Sequence, residues 1–140
     1  MIQRIQTVYL VLGAVALGAL LFFGVVWQGA ATAQSWFTPA VVLGDSLAVA
    51  VALGAIFLYK NRPRQRQVIV AAQALTTVLL LVFCGGLYLE KALYVRTAQG
   101  LDGGMLVALL LPIVAYVLFL LARRGVEKDI EQVRSMDRLR

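Results

Sequence analysis

Residues 40–89 read AVVLGDSLAVAVALGAIFLY, then KNRPRQRQ, then VIVAAQALTTVLLLVFCGGLYL. The outer pieces are apolar runs of the length, roughly 20 residues, that carries a helix across the hydrocarbon core of a bilayer. The piece between them packs Lys60, Arg62, Arg64 and Arg66 into seven residues, and its Pro63 opposes helix continuity. Apolar run, tight basic turn and second apolar run predict two antiparallel transmembrane helices, over 40–59 and 68–89.

The pattern extends in both directions. Residues 7–27, TVYLVLGAVALGALLFFGVVW, and 104–122, GMLVALLLPIVAYVLFLLA, are two further runs. No charged residue occurs in 7–27, 46–59, 68–89 or 103–122. The chain has 140 residues, of which 61% are hydrophobic and 14% charged; soluble domains carry about 25% charged residues. A water-soluble domain of this size cannot hide so much apolar surface. The fold expected is therefore all-α, an integral membrane bundle of four transmembrane helices.

The first run is preceded by a short head with one basic residue, Arg4, and followed by AATA at 30–33, which resembles a signal-peptidase site. Signal h-regions are about 7–15 residues long, shorter than this run, so a retained helix is expected. The connector 28–39 holds Trp36 and Phe37 near Trp27, with Phe22 and Phe23 one turn deeper. Aromatic residues favour the headgroup zone, so SWFTP is expected to rest on the outer membrane face. The connector 90–104, EKALYVRTAQGLDGG, has mixed charge, and its ALYV core suggests a short interfacial helix. Pro112, mid-span, frees the carbonyl of Ala108 and predicts a kink.

Lys and Arg set the orientation. Eleven of the thirteen fall in the head, the 60–67 turn and the tail, and only Lys91 and Arg96 lie on the other side. By the positive-inside rule both termini are cytoplasmic. The net charge of +6 is thus accounted for by residues flanking apolar spans, which argues against nucleic acid as a partner and for anionic lipid headgroups.

The composition also removes chemistries. There is no histidine, so histidine-ligated haem, His-based metal sites and Ser-His or Cys-His arrangements are out. Cys84 is the only cysteine, which excludes an intrachain disulfide and a dithiol redox site. The expectation is a non-enzymatic protein without cofactor or metal; the one enzymatic route left is a carboxylate mechanism from Asp45, Glu90 and Asp102.

Four features carry what functional signal there is. Small residues recur at four-residue steps in the second run, Gly44, Ala48 and Ala52, with Ala50 and Gly54 on a neighbouring line; they suit either internal packing or docking of another subunit. Gln73, Thr77, Leu80 and Cys84 follow helical spacing, with Thr76 adjacent, as an interhelical bonding stripe or the lining of a polar path. Asp45 is the ionisable residue at membrane depth. It either complements the start of its helix, partnered by Lys91 or Arg96, or binds a proton or cation. In the tail, Val126, Ile130, Val133 and Met136 mark one apolar helix face, and Arg134, Arg138 and Arg140 lie on other faces among acidic residues. This divides the chain into a transmembrane domain, 1–125, and a short amphipathic cytoplasmic helix, 126–140, that docks on lipid or on a partner protein, with Gly125 as the bend between them.

The opening MIQRIQTVYLVL, the closing LARRGVEKDIEQVRSMDRLR and the basic turn YKNRPRQ resemble a family of small four-helix inner-membrane proteins from Bacteroidota, a family of unknown function. The resemblance covers the whole layout and is most specific at 1–9 and 133–140. It implies a bacterial inner membrane and supplies no active site. It also implies that the distinctive parts are cytoplasmic and interfacial. The function expected is an accessory or scaffold subunit with a protein partner or a second copy of itself. The alternative is a small, dimeric, proton- or ion-coupled transporter using Asp45 and the Gln73/Thr77 stripe.

Overall fold

The computed structural model describes residues 2–24, 35–89, 96–97 and 100–137. Within them the chain forms four helices, α1 (Ile2–Phe22), α2 (Phe37–Phe57), α3 (Arg62–Leu89) and α4 (Gly103–Asp137). Between α3 and α4, β1 (Arg96–Thr97) pairs antiparallel with β2 (Gly100–Leu101), Arg96 opposite Leu101 and Thr97 opposite Gly100. All four helices are long and apolar enough to cross a membrane. The all-α, four-helix expectation therefore holds. Trp27, most of the first connector, the ALYV segment, Lys91, Arg138 and Arg140 fall outside the described residues.

The helix limits differ from the apolar runs, and each difference has a local cause. Pro63 does not interrupt the basic turn; it is the second residue of α3, where its missing N–H is not needed. Asn61 caps that helix, its Oδ1 accepting from the Arg64 backbone N–H at 3.4 Å. Arg62, Arg64 and Arg66 are thus helical, and the turn itself shrinks to 58–61. Pro39 likewise sits in the first turn of α2. At α4, Asp102 Oδ1 accepts from the N–H groups of Gly104 (3.0 Å) and Met105 (3.2 Å). That is an N-cap, which gives Asp102 a structural task.

The helices pack as a square, α1 against α2 and α4, α3 against α2 and α4. The core contains Leu10, Leu17, Leu20, Val41, Ile69, Phe83, Leu87, Phe119 and Val126. Ala48, Ala52 and Ala55 of α2 are fully buried within it. Of the two uses open to the small-residue face, internal packing is the one realised on this line; Ala50 on the neighbouring line is exposed. Phe37 departs from expectation. It is turned into the bundle and 1% exposed, stacked on Phe83 (centroids 6.2 Å, planes 17° apart) and set against Gly86. The bare Gly86 backbone creates the space, and Trp36, edge-on to Phe37, keeps the exposed position. Gly13 receives the Phe119 ring in the same way.

α4 runs 35 residues without a break, through Pro112 and through Gly125. At 1.5 Å per residue that is about 52 Å, well beyond a hydrocarbon core of about 30 Å. The tail is therefore the continuation of the fourth span and not a separate helix bent at Gly125. Gly125 serves close approach instead: a Cβ there would lie 2.7 Å from Gln6 Cγ.

Gly86→Ala forces its Cβ into the Phe37 ring and is expected to lower stability by about 1–3 kcal/mol, the ordinary cost of overpacking. Gly85→Ala, whose Cβ meets nothing within 4 Å, is expected to be neutral or slightly stabilising. Thermal unfolding of the two variants in the same detergent checks both; equal midpoints would contradict this packing.

Candidate functional site

The polar residues of the bundle gather in two places. The first is the end at which α1 and α3 begin and α4 leaves its apolar run. Gln6 of α1 is buried and donates from Nε2 to Oδ2 of buried Asp129 on α4, at 3.1 Å. Arg62 Nη1 of α3 donates to the backbone carbonyl of Asp129 at 3.4 Å. Arg66 Nε pairs with Glu127 Oε1 at 2.7 Å, and Arg123 Nε reaches the same oxygen at 3.0 Å. Gln65 is buried on the same stretch of α3. Three helices are thus clasped by one network beyond the charge-free runs.

The chemistry of this clasp follows from its charges. The Arg66 and Arg123 side chains, hydrogen-bonded to Glu127, hold its carboxyl below the usual glutamate range. Glu127 lies five residues past the apolar run and is partly solvated, so solvent screens much of the pair's effect. The sign is clear: a depressed carboxylate pKa adds stability above the ordinary glutamate value, and this is lost as pH falls through the lowered one. The buried Gln6–Asp129 bond matters more, because either partner left alone is a desolvated polar group.

The second place is the bundle interior. Asp45 is the ninth residue of α2 and is 0% exposed. Among the described residues neither carboxylate oxygen has a hydrogen-bond partner. The preceding residue, Gly44, faces Leu79 of α3, which sets Asp45 at the depth of an apolar layer. Helix-terminus electrostatics fade within the first turn, so the proposed complement to the start of α2 does not apply at the ninth residue. Of its suggested partners, Lys91 lies outside the described residues, and Arg96 is described only as backbone of β1.

The Gln73/Thr77 stripe does not form one lining. Gln73 is buried, whereas Thr77 is exposed and its hydroxyl bonds back to the Gln73 carbonyl at 2.9 Å. Each four-residue step turns about 40° past a full circle, which carries Thr77 off the packed face. Thr76 is the inward threonine, bonded to the Ala72 carbonyl at 2.8 Å. In the tail, Val126 is fully buried and Ile130 packs against the core, so part of the predicted docking face is used within this chain. Val133 and Arg134 are exposed. Met136 is helical, its side chain outside the described residues.

Sequence reasoning passed over Gln6 and Gln65 and counted Asp129 among the acids of the polar tail faces, whereas it is buried. A signal for Asp129 was present: it lies three residues after Val126 and four before Val133, on the apolar face itself. A lone acid inside such a stripe calls for a buried partner.

Residues 2–139 match the family model described as a domain of unknown function, DUF4293. No curated protein and no solved structure matches the chain. The chain belongs to the DUF4293 family, and the match runs through all four helices and the tail.

Asp129→Ala leaves buried Gln6 without its acceptor and is expected to cost about 1–3 kcal/mol. Asp129→Asn keeps a carbonyl oxygen in place and is expected to recover most of that loss. Thermal midpoints at neutral pH decide it; an alanine variant as stable as wild type would remove the clasp from the account.

Proposed function

We propose that this DUF4293 member is a non-enzymatic accessory or scaffold subunit of a bacterial inner membrane, with both ends cytoplasmic and the clasped basic end as its working face. The supporting observation is the uninterrupted α4. Residues 131–135 are exposed on every side of a helix whose base is bonded to α1 and α3. A projecting helix with a fixed base presents Glu131, Gln132 and Ser135 at a defined height and angle, which is what a docking element for a partner protein or a second copy requires. The excess of Lys and Arg at this end supports its cytoplasmic orientation.

The interior carboxylate favours a second reading, a small proton- or ion-coupled transporter. An unpaired carboxyl in the core of a membrane bundle is costly and is retained where it binds something. In this reading Asp45 exchanges a proton during transport, with Gln73 and Thr76 as buried polar groups on the adjoining α3.

The two readings part in experiment. For the accessory role, crosslinking in native membranes followed by mild extraction is expected to recover the protein in a larger assembly, and truncation after Gly125 to release it. Recovery only as a free monomer would contradict the role. For transport, reconstituted wild type is expected to show pH-dependent solute or ion flux that Asp45→Asn abolishes. Flux unchanged in that variant, or absent from wild type across a broad solute panel, would dismiss it.

A further inference from the structure

A groove of about 330 Å³ lies at the basic end, between the α2–α3 turn and the emerging part of α4. Its wall is formed by Lys60, Asn61, Arg62, Ile130, Val133 and Arg134, with Pro63 at the edge. We infer that this groove binds the headgroup phosphate of an anionic phospholipid, with the glycerol and upper acyl chain laid against Ile130 and Val133. The inference does not depend on the accessory reading.

Charge is the first of these. Three of the lining side chains are cationic, and among the described residues no carboxylate pairs with Lys60 or Arg134. No carboxylate lines the groove, and two of the three acids flanking it on α4 are engaged elsewhere, Glu131 being exposed and outside the lining. Glu127 is held by Arg66 and Arg123, and the Asp129 carboxylate accepts from Gln6. Arg62 has one donor on the Asp129 carbonyl and keeps others for a ligand. The groove therefore carries uncompensated positive charge and a set of guanidinium and ammonium donors, the chemistry that recognises phosphate.

Depth is the second. The apolar run of α2 ends at Tyr59, and Phe57 and Tyr59 are both exposed, as aromatic residues at a membrane interface are. Lys60, the next residue, lies with its Nζ 5.9 Å from the Tyr59 ring centroid. The groove thus opens at the level of the headgroups, with its apolar side chains and its cations in one wall. A soluble anion would have no use for Ile130 and Val133. A peptide partner would meet the same donors, but the groove is at the lower end of small-molecule site volumes, about 300–1,000 Å³. A lipid headgroup is the occupant that size, charge and depth share.

The test uses the purified full chain in detergent, incubated with equal amounts of phosphatidylglycerol and phosphatidylcholine of identical acyl chains, and native mass spectrometry to count retained lipid. Wild type is expected to retain phosphatidylglycerol in preference. Lys60→Gln and Arg134→Gln are each expected to reduce that preference roughly fivefold, and the double variant to abolish it. Both side chains are exposed, so the fold survives their loss; if the double variant melts lower than wild type, the two single variants carry the comparison. Equal retention of the two lipids by wild type, or an unchanged preference in the variants, would overturn the inference. Displacement of the lipid by millimolar glycerol phosphate would overturn it in favour of a free phosphate ester, and a co-purifying peptide mass in place of lipid would do so in favour of a protein ligand.

Discussion

Hydrocarbon offers no hydrogen-bond partner, and the placement of nearly every polar group in this bundle follows from that. Backbone groups close on themselves in four helices. Gln6, Arg62, Arg66, Glu127 and Asp129 collect at the end where three helices leave their charge-free runs, and there they bond to one another, with Gln65 buried on the same stretch. Thr76 and Thr77, inside the apolar run of α3, return their hydroxyls to carbonyls one turn back. Asp45 is the exception. A buried carboxyl without a partner among the described residues is the one group in the bundle interior that the packing does not account for.

The clasp and the long α4 depend on each other. A 35-residue helix would fray where its apolar packing ends. Here Val126 and Asp129 continue the buried face for more than a turn beyond Ala122, and Gly125 lets α1 approach closely enough for Gln6 to reach the acid. The same helix carries Arg134 into the wall of the groove that Lys60 and Arg62 also line. One arrangement thus fixes the helix base, engages Glu127 and Asp129 in internal bonds and gathers Lys60, Arg62 and Arg134 around one groove.

Much of the architecture could be read from the chain. Charge-free runs of membrane-spanning length give four helices, and the KNRPRQRQ turn gives an antiparallel pair. What failed was local. Pro63 and Gly125 read as breakers because proline and glycine usually are, yet the first falls where no N–H is required and the second where a neighbouring side chain needs room. Phe37 read as interfacial from its aromatic company; only Gly86, nearly fifty residues on, reveals the space prepared for it. The Gln73/Thr77 stripe looked like one face because four-residue spacing was followed without its drift. Asp45 was legible as the one acid at membrane depth, but its complete burial was not, since that depends on which side of α2 meets α1 and α3. The lone acid Asp129 in the apolar stripe was legible, but its pairing was not, because Gln6 and Asp129 stand far apart along the chain.

The central claim is that both polar ends and the basic turn share one membrane face. Cysteine accessibility tests it most directly, with single cysteines at Ser35, Asn61 and Ser135, all exposed, in a chain whose Cys84 is replaced by alanine. A membrane-impermeant maleimide applied to sealed, inside-out inner-membrane vesicles should label Asn61→Cys and Ser135→Cys and leave Ser35→Cys protected until detergent is added. Labelling of Asn61→Cys and Ser135→Cys from opposite faces would contradict the account.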